Sequence, residues 1–286
     1  MNAELLITFT LDCDRAHLYA YPERELSPDE MRRYDEALAR RATGIPAQYI
    51  VGHQEFWGFD LIVSPAVLIP RPETEHVVEA VLELASSVRL PRGQEQSQNQ
   101  SRHHQPRAGK PAPHNPRIVD VGTGSGAIAL ALAKELPTAE IHATDISPAA
   151  LEVARANAAR HQLSSRIEFR VGDLLEGFPS SCFDIVVSNP PYVGDSEEDS
   201  VQLEVRKFEP RNAVFAGPTG IEVIERLIAQ AHAALVPGGL LVFEISGTIA
   251  GRVRSLLAEW NEVAIRNDLQ GIARVAMARK PARTVI

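Results

Sequence analysis

Beyond residue 116, short β-branched runs alternate with segments of helical apolar spacing. Ile118-Val119-Asp120-Val121 reads as a strand, followed by a glycine loop and a helix over about residues 126–136 that Pro137 stops. Residues 140–144, 167–171 and 183–187 read as three further strands; Ser147-Pro148 opens a helix after the first of them, which runs to about His161. A long helix is expected over residues 220–235, ended by Pro237-Gly238-Gly239, then a strand over 240–245 and two more near 263–267 and 274–278. Seven strands alternating with helices predict an α/β fold built on a doubly wound, mostly parallel sheet.

The chain before residue 91 has a different texture. Residues 4–21 are apolar-rich and predict a helix. Ser27-Pro28-Asp29-Glu30 carries an N-cap, a first-turn Pro and acidic first-turn residues, so a second helix starts there and stops near Gly44. Phe56 to Val63 reads as a hairpin around Gly58, Ile69-Pro70-Arg71-Pro72 as extended chain, and residues 73–87 as a helix with Val77, Val78, Val81, Leu82 and Leu84 at helical spacing.

Between Pro91 and Pro116 the only apolar residues besides prolines are Ala108 and Ala112, so this stretch predicts a disordered linker. Its histidines, His103, His104 and His114, have no fixed geometry to make them a metal site. The expected organisation is a small helical domain over 1–50, a hairpin and connecting helix over 51–90, the linker insertion over 91–116, and the sheet domain over 117–286.

Composition narrows the class. At 286 residues and 44% hydrophobic, the chain can bury a sizeable core. The 29 basic residues against 37 acidic ones give −8, which argues against a general phosphate-binding surface and leaves room only for a local basic patch. Cys13 and Cys182 cannot build a disulfide framework, no apolar run reaches membrane-spanning length, and the first residues lack a secretion signal's basic region. A soluble, cytoplasmic protein is expected.

Asp120-Val121-Gly122-Thr123-Gly124-Ser125-Gly126 joins the first strand to the first helix. Glycines there permit a sharp turn and close approach of a ligand to backbone, with free helix amides beyond. Asp145 ends the next strand, 23 residues after Gly122, where a carboxylate can accept two ribose hydroxyls. With Ala127 the string also fits the dinucleotide-binding spacing, which leaves a nicotinamide cofactor open. Asp173 and Leu174 follow the third strand, where Asp173 can accept an adenine amine while Leu174 packs on the ring, or where Asp173 is simply a turn residue.

Ser188-Asn189-Pro190-Pro191-Tyr192 follows the fourth strand, at the carboxyl edge where open α/β sheets bind ligands. Pro is about 5% of residues, so Asn-Pro-Pro-Tyr arises by chance in well under roughly one chain in a hundred. The two prolines stiffen the backbone and remove two donors, leaving a rim of acceptors at the Asn189 side chain and the Pro190 carbonyl. Such a rim beside the flat Tyr192 ring suits a planar NH2 group.

Together, the glycine loop and Asn189–Tyr192 resemble class I S-adenosylmethionine-dependent N-methyltransferases. Residues 44–52 (GIPAQYIVG), 55–58 (EFWG), 69–75 (IPRPETE), 205–211 (VRKFEPR) and 268–274 (DLQGIAR) resemble the release factor glutamine methyltransferase (PrmC/HemK) family. That resemblance implies a Rossmann-like methyltransferase sheet and S-adenosylmethionine as methyl donor. It also implies N5-methylation of the glutamine in the Gly-Gly-Gln motif of class 1 peptide chain release factors.

It further implies cofactor contacts from Asp120, Gly122, Thr123, Gly124, Ser125, Gly126, Asp145, Asp173, Leu174 and Asn189. The target amide falls to Asn189, Pro190, Pro191 and Tyr192, with Asn189, Pro190 and Tyr192 nearest the chemistry; Phe56 and Trp57 line the glutamine channel or belong to the core. Against the family pattern, the chain is expected to begin inside the N-terminal helical bundle, and it departs in the long 91–116 insertion and in Ser246 where Gly is usual. A monomer without metal, nucleic acid or membrane partner is expected. The rivals are an N6-adenine methyltransferase acting on a flipped DNA or RNA base, a dehydrogenase, which would need a base after the fourth strand, and a non-catalytic binding module.

Overall fold

The computed structural model describes residues 2–87 and 115–282. The N-terminal region holds α1 (Asn2–Leu11), α2 (Arg15–Ala20), α3 (Pro28–Ala42) and α4 (Ala47–Val51). The single helix expected over residues 4–21 is thus two. Asp12 turns to a left-handed φ of 50°, and the Asp14 side chain caps α2 by accepting from the His17 amide at 2.7 Å. The start of α3 is as expected: Ser27 and Glu30 form a reciprocal capping box. The one-turn α4 escaped the pattern because five residues are too few for a helical period.

A tight hairpin follows, β1 (His53–Phe56) paired antiparallel with β2 (Phe59–Ile62). One 3-10 turn over Pro72–Thr74 then leads into α5 (Glu75–Ser87). The linker expected over 91–116, with its three histidines, lies outside the described residues except for its last two, where the Pro116 carbonyl already accepts from the Glu140 amide at 2.9 Å.

The second half runs β3 (Arg117–Val121), α6 (Ala127–Glu135), β4 (Glu140–Asp145), α7 (Pro148–Arg160), β5 (Ile167–Val171), β6 (Phe183–Ser188) and β7 (Val193–Gly194). It continues through α8 (Leu203–Phe208), α9 (Arg211–Val214), β8 (Phe215–Gly217), α10 (Glu222–Ala234), β9 (Leu235–Glu244), α11 (Ala250–Leu256), β10 (Asn261–Asn267) and β11 (Ala273–Arg279). Seven strands form one sheet in the order β10-β11-β9-β6-β3-β4-β5. Only β11 runs against the rest, pairing antiparallel with both β9 and β10.

The sheet is buried on both faces, which is why its central strands read as unbroken apolar runs. Ile118, Ile141, Ile185 and Val242 face α5, α6 and the hairpin, whereas Val119, Val186, Leu241 and Phe243 face α10 and α11. Val77, Val78 and Val81 of α5 are wholly buried in the first of these cores.

Pro237-Gly238-Gly239, expected to end a helix and precede a strand, lies inside β9. The preceding helix does stop at Ala234. The chain then extends at once, and the glycines are accommodated by a register shift between Leu235 and Leu240 against β6. Gly238 and Gly239 pair with Lys280 through bonds of 3.0 and 2.8 Å. A small parallel pair, β7 with β8, also went unpredicted.

Candidate active site

The carboxyl edge of the sheet gathers the loops after β3, β4, β5 and β6. In the β3–α6 loop, Gly122 and Gly124 adopt left-handed φ of 70° and 55°, and a Cβ built on either would meet no atom within 4 Å. Their glycine character therefore serves the turn and an open space beside it. Asp145 closes the loop from the next strand: its Oδ2 accepts from the Gly124 amide and its Oδ1 from the Ser147 amide, each at 2.9 Å. Burial raises the Asp145 pKa, opposed by those amides.

These loops wall a cavity of about 300 Å³. Of the residues predicted from sequence, Gly122, Thr123, Gly124, Ser125, Asp145, Asp173, Leu174, Asn189 and Pro191 line it. Asp120, Gly126, Pro190 and Tyr192 are not on its wall. Gly126 is instead a packing glycine, since a Cβ there would lie 2.6 Å from Leu130 Cδ1 and 3.3 Å from Ala154 Cβ. Asp120 sits beneath the loop, taking the Thr123 hydroxyl at 2.6 Å and the Ala129 amide at 3.1 Å on Oδ2. Its other oxygen is buried without a hydrogen-bond partner among the described residues, and burial pushes its pKa up to about 7. Asp173 is held at 2.5 Å by Arg226, another wall residue.

Asn189 donates its side-chain amide to Thr74 Oγ1 at 3.0 Å, and Thr74 donates to Glu244 Oε2 at 2.6 Å. Tyr192 donates its hydroxyl to Glu244 Oε1 at 3.1 Å. Burial together with the Glu244 charge drives the Tyr192 pKa upward, and burial also raises that of Glu244. The Asn189 end of this chain therefore faces the cavity and the carboxylate end is wholly buried.

Several contributors were not read from the sequence. Arg71 pairs with the buried Glu209, whose second oxygen accepts from the Ile69 amide at 3.1 Å, joining two wall segments. Ile146 is 56% exposed directly after Asp145, an apolar surface turned into the cavity; its place after the strand-ending acid was the signal. Asn157, fully buried in α7, bonds Ile62 through both its amide and carbonyl and the Ser125 carbonyl, tying the hairpin to the glycine loop. Phe56 is buried in the core, whereas Trp57 bonds Glu135 through its indole at 3.0 Å; neither lines the cavity. Among the described residues, no group of His, Cys, Asp and Glu is placed to hold a metal, and no helix is long and apolar enough to cross a membrane.

Residues 109–207 match the methyltransferase small domain and residues 1–52 the PrmC N-terminal domain. The release factor glutamine methyltransferase of Koribacter versatilis is 51% identical over 282 residues, spanning 98% of this chain and 91% of that protein. The chain belongs to the release factor glutamine methyltransferase family. Family members from Rhodopirellula baltica and Coxiella burnetii are 36% and 37% identical, each across 98% of this chain and 89% and 91% of their own. Among solved structures, a methyltransferase from Pyrococcus furiosus aligns with a TM-score of 0.52 at 17% identity, over 87% of this chain and 98% of that one. The hMettl16 catalytic domain in complex with MAT2A 3′UTR hairpin 6 aligns with a TM-score of 0.54 at 15% identity, over 80% and 78%. At such identities the likeness is one of fold, and it gives the nucleic-acid reading no support.

Proposed function

We propose that this methyltransferase moves a methyl group from S-adenosylmethionine to the side-chain amide nitrogen of the glutamine in the Gly-Gly-Gln motif of class 1 release factors. The observation that carries the reading is one shared wall: Asn189 and Pro191 line the same cavity as Gly122, Gly124 and Asp145. The names of the relatives point to the same substrate. The open space over the glycines, the exposed Ile146 and the Asp145 and Asp173 carboxylates suit a nucleoside with a ribose and an adenine amine. The helices of residues 1–50 would dock the release factor, with the enzyme acting as a cytoplasmic monomer.

A primary amide nitrogen is a poor nucleophile because its lone pair is delocalised into the carbonyl. S-adenosylmethionine, when bound, supplies a methyl on a sulfonium that is already activated. The protein's part is to hold the nitrogen in line at near-attack distance, which can supply roughly 7–11 kcal/mol of the barrier. Asn189 Oδ1 and the Pro190 carbonyl accept the two amide hydrogens and stabilise positive charge developing on nitrogen. Tyr192, fixed by Glu244, confines the amide plane. The surplus proton passes to water after transfer.

The test is labelled S-adenosylmethionine incubated with release factor, with a Gly-Gly-Gln peptide, with DNA and with no acceptor. Label on the factor and peptide is the expected result; label on DNA alone would reverse the assignment. Asn189→Ala is expected to abolish transfer while cofactor affinity stays within a few-fold, and transfer at the wild-type rate would remove Asn189 from its role.

A further inference from the structure

Glu244 ends β9, one residue past Phe243, which pairs laterally with Ser188 of β6; the carboxylate thus sits beside Asn189. It is among the few charged groups the fold fully buries. Arg274, a basic group whose charge acts on it, is itself held by Asp268 at 2.9 Å. An isolated carboxylate at such depth costs stability that an uncharged residue would not.

The pattern of donors explains why a carboxylate stands there. Both oxygens of Glu244 are acceptors, one for Thr74 and one for Tyr192. Thr74 has a single hydroxyl hydrogen, committed to Glu244, so its oxygen can meet Asn189 only as an acceptor. Asn189 must answer with its NH2 end, as it does at 3.0 Å. A carboxamide has two orientations of nearly equal shape, and this chain of bonds permits one. The other end, Oδ1, meets no donor among the described residues.

We propose that Glu244, acting through Thr74, is a positioning residue that fixes the polarity of the Asn189 side chain, making it an acceptor toward the methylated amide. The assignment rests on the substrate reading above for its catalytic consequence, though not for its geometry. Were Glu244 only a space-filling residue, its neutral isostere would serve equally well. Glu244→Gln keeps the shape but brings an NH2 that must donate to Thr74 or Tyr192. The chain can then run backwards, turning the Asn189 nitrogen toward the cavity.

The experiment is single-turnover methyl transfer to a Gly-Gly-Gln peptide, alongside calorimetric binding of S-adenosylmethionine and thermal unfolding. Glu244→Gln and Thr74→Val are each expected to lower the transfer rate by about a hundredfold. Cofactor Kd should stay within a few-fold and the melting temperature of Glu244→Gln should not fall. Thr74→Ser, which restores the hydroxyl, should recover most of the rate. Wild-type turnover by both Glu244→Gln and Thr74→Val would overturn the proposal, as would Thr74→Ser no better than Thr74→Val. A wild-type enzyme that leaves the peptide unlabelled would instead sink the substrate reading. The inference is then judged without substrate, from water exchange of the Asn189 side-chain NH2 in 15N spectra. Slow exchange in the wild type and fast exchange in Glu244→Gln support it; identical exchange in both refutes it.

Discussion

Gly124 donates its backbone amide to the carboxylate of Asp145 at 2.9 Å, so the turn after one strand and the acid ending the next are a single assembly. Asp145 has both oxygens engaged by loop amides before any ligand arrives. It shapes the glycine turn as well as offering charge to the cavity.

Asp145→Asn should therefore weaken the cofactor on two counts, since it removes the charge offered to the cavity and turns an NH2 toward one of those amide donors. Hydrogen bonds to charged groups contribute about 1.5–3 kcal/mol, so S-adenosylmethionine affinity should fall by roughly tenfold or more. Isothermal calorimetry measures it, and an unchanged Kd would separate Asp145 from the cofactor.

The loop glycines should divide by what a methyl group meets. Gly126→Ala combines a left-handed φ of 86° with a 2.6 Å approach to Leu130 and should lose about 2–4 kcal/mol of folding stability. Gly122→Ala, with nothing within 4 Å, should lose only about 1–2 kcal/mol yet bind cofactor less well. Urea unfolding beside calorimetry resolves the two, and equal stability losses would contradict the distinction.

Asn157→Leu should destabilise by about 3 kcal/mol or more, because it strands the Ile62 amide and carbonyl and the Ser125 carbonyl at once. Chemical denaturation gives the figure. A loss under about 1 kcal/mol would mean that the hairpin is not anchored through this side chain.

Asp120 gives stability a pH slope of definite sign. Its folded pKa, about 7, lies above the ordinary aspartate value of 3.8, so between these limits the folded state holds the proton more tightly. Stability should fall as pH rises from about 4 to 7, by no more than about 4 kcal/mol from this group, and level off above. Asp120→Asn should flatten that decline in thermal unfolding followed across pH. A wild-type curve rising over the same interval would show that other carboxylates dominate.

The sheet and its loops were legible because parallel strands buried on both faces are short apolar runs, and the residue after each run falls at the carboxyl edge. That reasoning reached Gly122, Gly124, Asp145 and Asn189. It could not reach Thr74, which meets Asn189 across 115 residues and Glu244 across 170, or Asn157, which meets Ile62 across 95. Each is an ordinary polar residue until folding supplies its partner. Gly126 and Pro237-Gly238-Gly239 stand apart from expectation for a related reason: sequence alone does not say whether a glycine makes room for a ligand, a neighbouring helix or a bulge.

Helix α5 packs into the sheet built wholly from chain beyond residue 114, and Thr74, just ahead of it, bonds Asn189. One of the two cores flanking the sheet, and the bonded chain beside the cleft, therefore draw on both stretches of polypeptide. Removing the leading portion would uncover one face of the sheet and take from Asn189 the oxygen that orients it.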